Sequence, residues 1–180
     1  MILVIDVCGQ RLHYEEFVRP VAESIPPGRQ HYIKHFQDVS GPDIEGAESI
    51  IICGTALKDC GFMEHLEMFS WLKATGKPVL GICAGMQIMA AVFGAKTETK
   101  TEIGMTEIAV KKKGTLLGNA NFKAYELHNF APLLPAGFVP LAESATCLQA
   151  FAHKERPLFG VLFHPEVRNK TIIERFIGSV

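Results

Sequence analysis

The 180-residue chain has no run of about 18 apolar residues, so no stretch of it is expected to span a bilayer. It has no block of one charge longer than Lys111-Lys-Lys113, and its net charge is −1. That triplet reads as a solvated strand end, and nucleic acid is not expected as a partner. There is no CxxC pair among its five cysteines, Cys8, Cys53, Cys60, Cys83 and Cys147. The odd number and wide spacing predict neither a disulfide framework nor a zinc site, and no metal or cofactor is expected. Reducing, cytoplasmic surroundings fit such thiols. Met1-Ile-Leu-Val-Ile-Asp6 carries no charged leader segment and no cleavage site, and reads as a strand from its start. Internal repeats, low-complexity tracts and linkers are missing too. Residues 1–180 are therefore expected to form one domain with a full-sized core.

What is present is alternation. Met1 to Val7 is an apolar run with one interruption, and Ser49 to Gly54 reads as apolar throughout, as strands buried on both faces should be. Gln30 to Gln37 reads as a further strand. A helical stretch begins near Leu12, with Pro20 limiting or kinking it. Phe62, Met63, Leu66, Phe69 and Leu72 fall at helical spacing, with Gly76 as a C-cap and Pro78 beyond it. Ser40-Gly-Pro42 reads as a break. Strand and helix in turn imply an α/β fold on a mostly parallel, doubly wound sheet. After Gly94 the pattern changes. Short runs at 107–111, 122–127, 138–141, 147–153 and 157–163 are separated by Gly, Pro and Asn, which predicts mostly antiparallel strands. A closing helix is expected over 171–177.

Gly81-Ile-Cys-Ala-Gly-Met-Gln87 stands where an apolar strand, Pro78 to Ile82, gives way to a helical pattern, Gln87 to Phe93. Glycines on both sides permit a sharp turn there. Cys83 at its tip would feel the positive end of the following helix, which favours thiolate. On this stretch alone, Cys83 is either a nucleophile or one more buried cysteine. In open parallel sheets ligands bind beyond the carboxyl ends of strands, and Cys8-Gly-Gln10, Gly54-Thr-Ala56 and Cys83 all fall at such ends. Farther on, Pro157 to Phe163 ends in His164-Pro-Glu166. A histidine and a carboxylate two residues apart at a strand end can act as base and orienter. Taken alone, His164 is equally a capped strand-end histidine.

The two stretches together, Gly81-Ile-Cys-Ala-Gly-Met-Gln87 and Gly160-Val-Leu-Phe-His-Pro-Glu-Val167, resemble the class I, triad-type glutamine amidotransferase family. The resemblance covers nearly the whole chain: Val4-Ile-Asp6 with Gly9-Gln10, Glu102-Ile-Gly104 and Leu134-Pro-Ala-Gly-Phe138 are similar to further family elements. It implies a flavodoxin-like sheet, with antiparallel strands in the C-terminal half. It implies Cys83 as nucleophile, His164 as base and Glu166 as orienting carboxylate, with a γ-glutamyl thioester formed and ammonia released. The backbone N–H groups of Gly54 and Ala84 would receive the oxyanion. Gln87 would contact the glutamine substrate, and Asn129 and Phe130 would contribute backbone contacts to it. His128 is read as structural. The chain departs from the family in its loop Cys53-Gly-Thr-Ala56, where Gly-Gly-Pro-Gly is usual, and in Ala84, where Leu is usual.

The resemblance further implies an ammonia acceptor in a separate synthase or synthetase subunit. Length and element order are similar to the branch of separate glutaminase subunits of archaeal GMP synthase, although Leu127-His-Asn-Phe130 departs from that branch's Ser-His-x-Asp. Anthranilate or aminodeoxychorismate synthase and imidazole glycerol phosphate synthase are the other acceptors in view. Two other classes of function stay open: a stand-alone γ-glutamyl hydrolase, and a catalytically silent binding subunit.

Overall fold

The computed structural model describes residues 1–114 and 116–179. The strands expected in the first half form: β1 (Ile2–Asp6), β2 (His31–His35), β3 (Ser49–Ile52) and β4 (Val79–Ile82). Every residue of β3 and β4 is buried. Each buried Val, Leu or Ile side chain contributes ~1.5–3 kcal/mol, so these short central strands anchor the molecule. Five more strands follow: β5 (Thr97–Val110), β6 (Phe122–Pro132), β7 (Phe138–Glu143), β8 (Leu148–His153) and β9 (Leu158–Val161).

All nine join one sheet in the order β2-β1-β3-β4-β9-β8-β7-β5-β6. The expected mostly parallel sheet is found only in part, while the antiparallel strands expected in the C-terminal half are there. Pairing is parallel only from β2 to β9, and antiparallel from β9 through β8, β7 and β5 to β6. β9 is thus the seam, parallel to β4 on one side and antiparallel to β8 on the other.

Helices cover both faces of the parallel part. On one face Phe17, Val18, Val21, Ile172, Ile173 and Phe176 pack over Ile2, Val4 and Ile51. On the other, Ile44, Phe62, Phe69, Leu72, Met86 and Met89 pack over Leu3, Ile5, Ile50 and Ile52. The first group comes from residues 11–23 and from α5 (Thr171–Gly178). Residues 11–23 run as α1 (Arg11–His13), a π-helical turn (Tyr14–Val18) and α2 (Arg19–Glu23). Pro20 does not end this segment, although the change from π to α falls directly before it. It lies in the first turn of α2, where its missing N–H costs little.

Two other expectations are revised. Ser40-Gly-Pro42 is a helix start: Ser40 and Asp43 form a capping box for α3 (Gly41–Gly46), with the Ser40 N–H donating to Asp43 Oδ2 at 2.9 Å. Residues Gly61–Lys73 are 3₁₀ rather than α, kinked at His65. α4 (Ala84–Val92) follows β4 directly. Among the described residues, no helix is long and apolar enough to cross a membrane.

β5 and β6 are far longer than the apolar runs at 107–111 and 122–127. They form an antiparallel ribbon tied to β7 through Ala109↔Glu143 and Val110↔Ala142. The ribbon brings β6 across the carboxyl ends of β4 and β9. There the His164 N–H donates to the Tyr125 carbonyl at 2.9 Å.

Candidate active site

Cys83 ends β4 and caps α4. Its φ of +48° makes it the non-glycine residue with positive φ among those described. An L-residue held there is strained by about 1–3 kcal/mol, a cost that persists only where the surroundings impose it. Its neighbours do impose it. A Cβ on Gly81 would lie 2.5 Å from the Gly85 carbonyl, and one on Gly85 would lie 2.3 Å from the Ile52 carbonyl. The first turn of α4 therefore presses directly onto the end of β3, and the chain has no slack to relax. The Cys83 Sγ is buried and lies 3.8 Å from the Leu127 carbonyl of β6.

The loop after β9 carries His164 and Glu166 to the same place. His164 Nδ1 donates to Glu166 Oε1 at 2.7 Å, and both side chains are 1% exposed. With Nδ1 spent on the carboxylate, Nε2 is the nitrogen left for the Cys83 sulfur. Burial alone would drive this imidazole toward its neutral form. The Glu166 charge, and after it the Cys83 sulfur, outweigh burial and hold His164 well above its ordinary value. Phe17 and Tyr125 wall the ring, with centroids 5.5 and 6.5 Å away. The buried thiols of Cys8 and Cys53 are pushed upward by desolvation and are poor nucleophiles.

Gly54 sits between the two arms. A Cβ there would stand 2.8 Å from His164 Cε1 and 3.3 Å from Cys83 Cβ. The one glycine that the altered loop retains is thus the one whose position admits no side chain. Ala84 is the first residue of α4, and amides of a first helical turn have no intrahelical acceptor. Gln87 donates through Nε2 to the Phe130 carbonyl at 2.9 Å. It thereby links α4 to β6, and that carbonyl is already engaged. Asn129 turns its side chain to Thr101, whose hydroxyl donates to Asn129 Oδ1 at 3.2 Å.

Sequence reading missed what orders this loop. Asp59 Oδ2 accepts from the Gly9 N–H (2.7 Å), the Thr55 hydroxyl (2.7 Å) and His13 Nδ1 (3.0 Å). Burial pushes the Asp59 carboxyl up, but these three bonds outweigh it and hold it below the usual range. Asp59 so ties the loop after β3 to the loop after β1. A lone aspartate among loop residues gives no periodic signal by which to find it.

The cleft is narrow. Thr55, Ala56, Asp59, Phe62 and residues 127–130 surround Cys83, leaving a cavity of about 20 Å³. That is room for about one water. On the far side of β6 the ligating atoms of Glu102, His128 and Cys147 lie within 4.8 Å of one another.

The arrangement can perform acyl transfer: a thiol at a strained elbow, an oriented imidazole and backbone donors beside both. The family model for class-I glutamine amidotransferase matches residues 31–177. The A-type subunit of the glutamine-hydrolysing GMP synthase of Thermoplasma acidophilum is 31% identical over 152 residues, covering 78% of this chain and 76% of that one. Its counterpart from Methanocaldococcus jannaschii is 31% identical over 184 residues, covering 93% and 88%. A crystal structure from T. acidophilum, assigned to the same A-type GMP synthase component, superposes with a TM-score of 0.83 at 30% identity, over 98% of this chain and 92% of that one. A glutamine amidotransferase structure from Thermotoga maritima, 18% identical with a TM-score of 0.73, shares the fold over 99% of this chain and 80% of that one.

Proposed function

The chain belongs to the class-I glutamine amidotransferase family, and from that membership we propose that it hydrolyses glutamine to glutamate and ammonia as the glutaminase subunit of a two-subunit GMP synthase. The observation that carries this reading is the meeting of Cys83, His164 and Glu166 around Gly54, where no side chain fits.

In the proposed reaction the Cys83 thiolate attacks the γ-carbonyl carbon of glutamine. The carbonyl π electrons move to oxygen, which accepts from the Gly54 and Ala84 N–H groups. The His164 imidazolium gives its Nε2 proton to the departing nitrogen, the C–N bond breaks, and ammonia leaves a γ-glutamyl thioester. Neutral His164 then takes a proton from water, whose oxygen attacks the thioester. The C–S bond breaks, and glutamate leaves with the thiolate restored. Glu166 keeps Nδ1 protonated and offsets the imidazolium charge throughout. Gln87 and the backbone of Asn129 and Phe130 are assigned to holding the amino-acid end of the substrate.

The partner assignment is supported by the A-type GMP synthase relatives, whose similarity runs along most of both chains.

Labelling with a glutamine-mimicking electrophile tests the reading. Mass spectrometry is expected to find one adduct, on Cys83, and ammonia release is expected to rise when the synthetase subunit is added. No adduct with or without that subunit would sink both enzyme readings. A Cys83→Ser chain that kept full glutaminase activity would sink the mechanism, whose expected loss is on the order of 10⁴-fold or more.

A further inference from the structure

A second buried polar cluster lies on the opposite face of β6 from the thiol. It is assembled from β5, β6 and the start of β8. In register, Glu102 faces His128 across the ribbon. Glu126, two residues before His128 on the same strand, points to the same face. Cys147 and Gln149 enter from β8 and the turn before it.

The atoms meet in an unusual way. His128 Nδ1 donates to the Lys100 carbonyl at 2.9 Å, so Nε2 is the nitrogen that points inward. It lies 3.3 Å from Glu102 Oε2 and 3.3 Å from Glu126 Oε2, yet makes no hydrogen bond to either. Glu126 is 0% exposed, and neither of its oxygens has a hydrogen-bond partner among the described residues. Cys147 Sγ is 3.3 Å from the same Glu102 Oε2.

A buried carboxylate met only by one imidazole and by no hydrogen bond is costly unless a positive charge sits beside it. The distances say what would fit. Donors bound at about 2.0–2.1 Å around a tetrahedral ion stand roughly 3.3–3.4 Å apart. That is the spacing of His128 Nε2 from both carboxylate oxygens. Nitrogen, sulfur and oxygen donors together favour a borderline cation over hard Mg²⁺ or Ca²⁺. The outer contacts suit ligands as well. The Thr146 hydroxyl donates to Glu102 Oε1 at 2.7 Å, and the Lys100 carbonyl fixes the His128 ring. The Gln149 amide nitrogen, 2.6 Å from Glu102 Oε2 and 3.4 Å from Cys147 Sγ, is the one group that competes for the space. Turning that amide over would offer its oxygen, which has no partner, to a cation instead.

We propose that Glu102, His128 and Cys147, with Glu126 as fourth donor, bind one divalent cation of borderline character, Zn²⁺ being the best match. The site is separate from the proposed glutaminase chemistry and does not rest on it. It nonetheless adjoins the cleft, because His128 follows Leu127, whose carbonyl meets Cys83 Sγ, and Phe130 comes two residues on. A bound ion would fix the strand that lines the cleft.

Co²⁺ titration of the full chain, stripped of metal by a chelator, tests the proposal. One equivalent is expected to bind with a thiolate-to-cobalt band in the near ultraviolet, and Zn²⁺ is expected to displace it. Cys147→Ser should abolish the band, while Cys83→Ser should leave it. Glu126→Gln should weaken binding on the order of tenfold. A band that survives Cys147→Ser, a band lost instead in Cys83→Ser, or no stoichiometric uptake by the folded chain would each overturn the site. Circular dichroism of every variant establishes that it is folded, and Zn²⁺ should raise the melting temperature of the parent chain but not of Cys147→Ser.

Discussion

The two buried histidines among the described residues each lie two residues from a buried glutamate, and the pairs are built in opposite ways. His164-Pro-Glu166 stands in the turn after β9, where the chain curls and brings Glu166 to His164 Nδ1 at 2.7 Å. Glu126-Leu-His128 stands within β6, extended, so both side chains share a face. His128 Nδ1 is committed to the Lys100 carbonyl, and Nε2 comes to 3.3 Å from Glu126 Oε2 without hydrogen-bond geometry. In the first pair the carboxylate is used up in orienting the ring, and Nε2 is free for a thiol. In the second the carboxylate stays unsatisfied, and Nε2 is free for whatever satisfies it. The spacing is the same, and so is the nitrogen left over; what Nδ1 bonds to decides the chemistry.

That contrast is open to attack by experiment. The largest effect is expected from Glu166→Gln, which should lower glutamine turnover on the order of 10³-fold, while Glu126→Gln should keep it within about tenfold. Equal losses in the two variants would erase the distinction. Gly54→Ala comes next. Its Cβ would stand 2.8 Å from His164 Cε1, and displacing that ring should cost roughly 10²-fold in turnover with little change in the circular dichroism spectrum. If activity survives, the fit between the two arms is looser than these distances require.

A third test uses pH. His164 is held above its ordinary value in the fold, so the folded state binds its proton more tightly than the unfolded chain does. The stabilisation is fully present below about pH 6.5, the unfolded value, and is lost as pH rises through the higher folded value. The urea midpoint of the parent chain should therefore fall on the alkaline side. In Glu166→Gln the fall should begin at lower pH, and identical profiles would refute the coupling. The smallest effect is expected from Asp59→Asn, which weakens three hydrogen bonds at the loop over the cleft. Stability should drop about 1 kcal/mol, and the KM for glutamine should rise several-fold with kcat less affected.

Much of the parallel half is legible in the chain itself, because buried parallel strands are apolar throughout and glycine marks their ends. Cys83 and His164 stand out for that reason, and Gly54 is the glycine that closes the strand before the elbow. The antiparallel ribbon hides its length. Thr97 to Thr101 is polar and mostly exposed, and offers no run of apolar residues to count. Glu102 and His128 meet through cross-strand register after a shift between Thr99 and Glu102, which no spacing along the chain encodes. The expectation of no metal rests on local cysteine spacing, and that criterion does not register donors gathered from separate strands. Ser40-Gly-Pro42 reads as a break because Gly-Pro punctuates; the Asp43 partner three residues after Ser40 is the cue to a helix start instead.

The narrowness of the cleft has a kinetic consequence. With room for about one water beside Cys83, binding of glutamine is expected to require the lining of the cleft, which includes the loop held by Asp59, to open. Association is then limited by how often the loop opens rather than by diffusion. A very small thiol reagent should react with Cys83 much faster than a glutamine-sized one of equal intrinsic reactivity. A partner that holds the loop open would bring the two rates together, so their ratio, measured with and without the partner, reports how the gate is set.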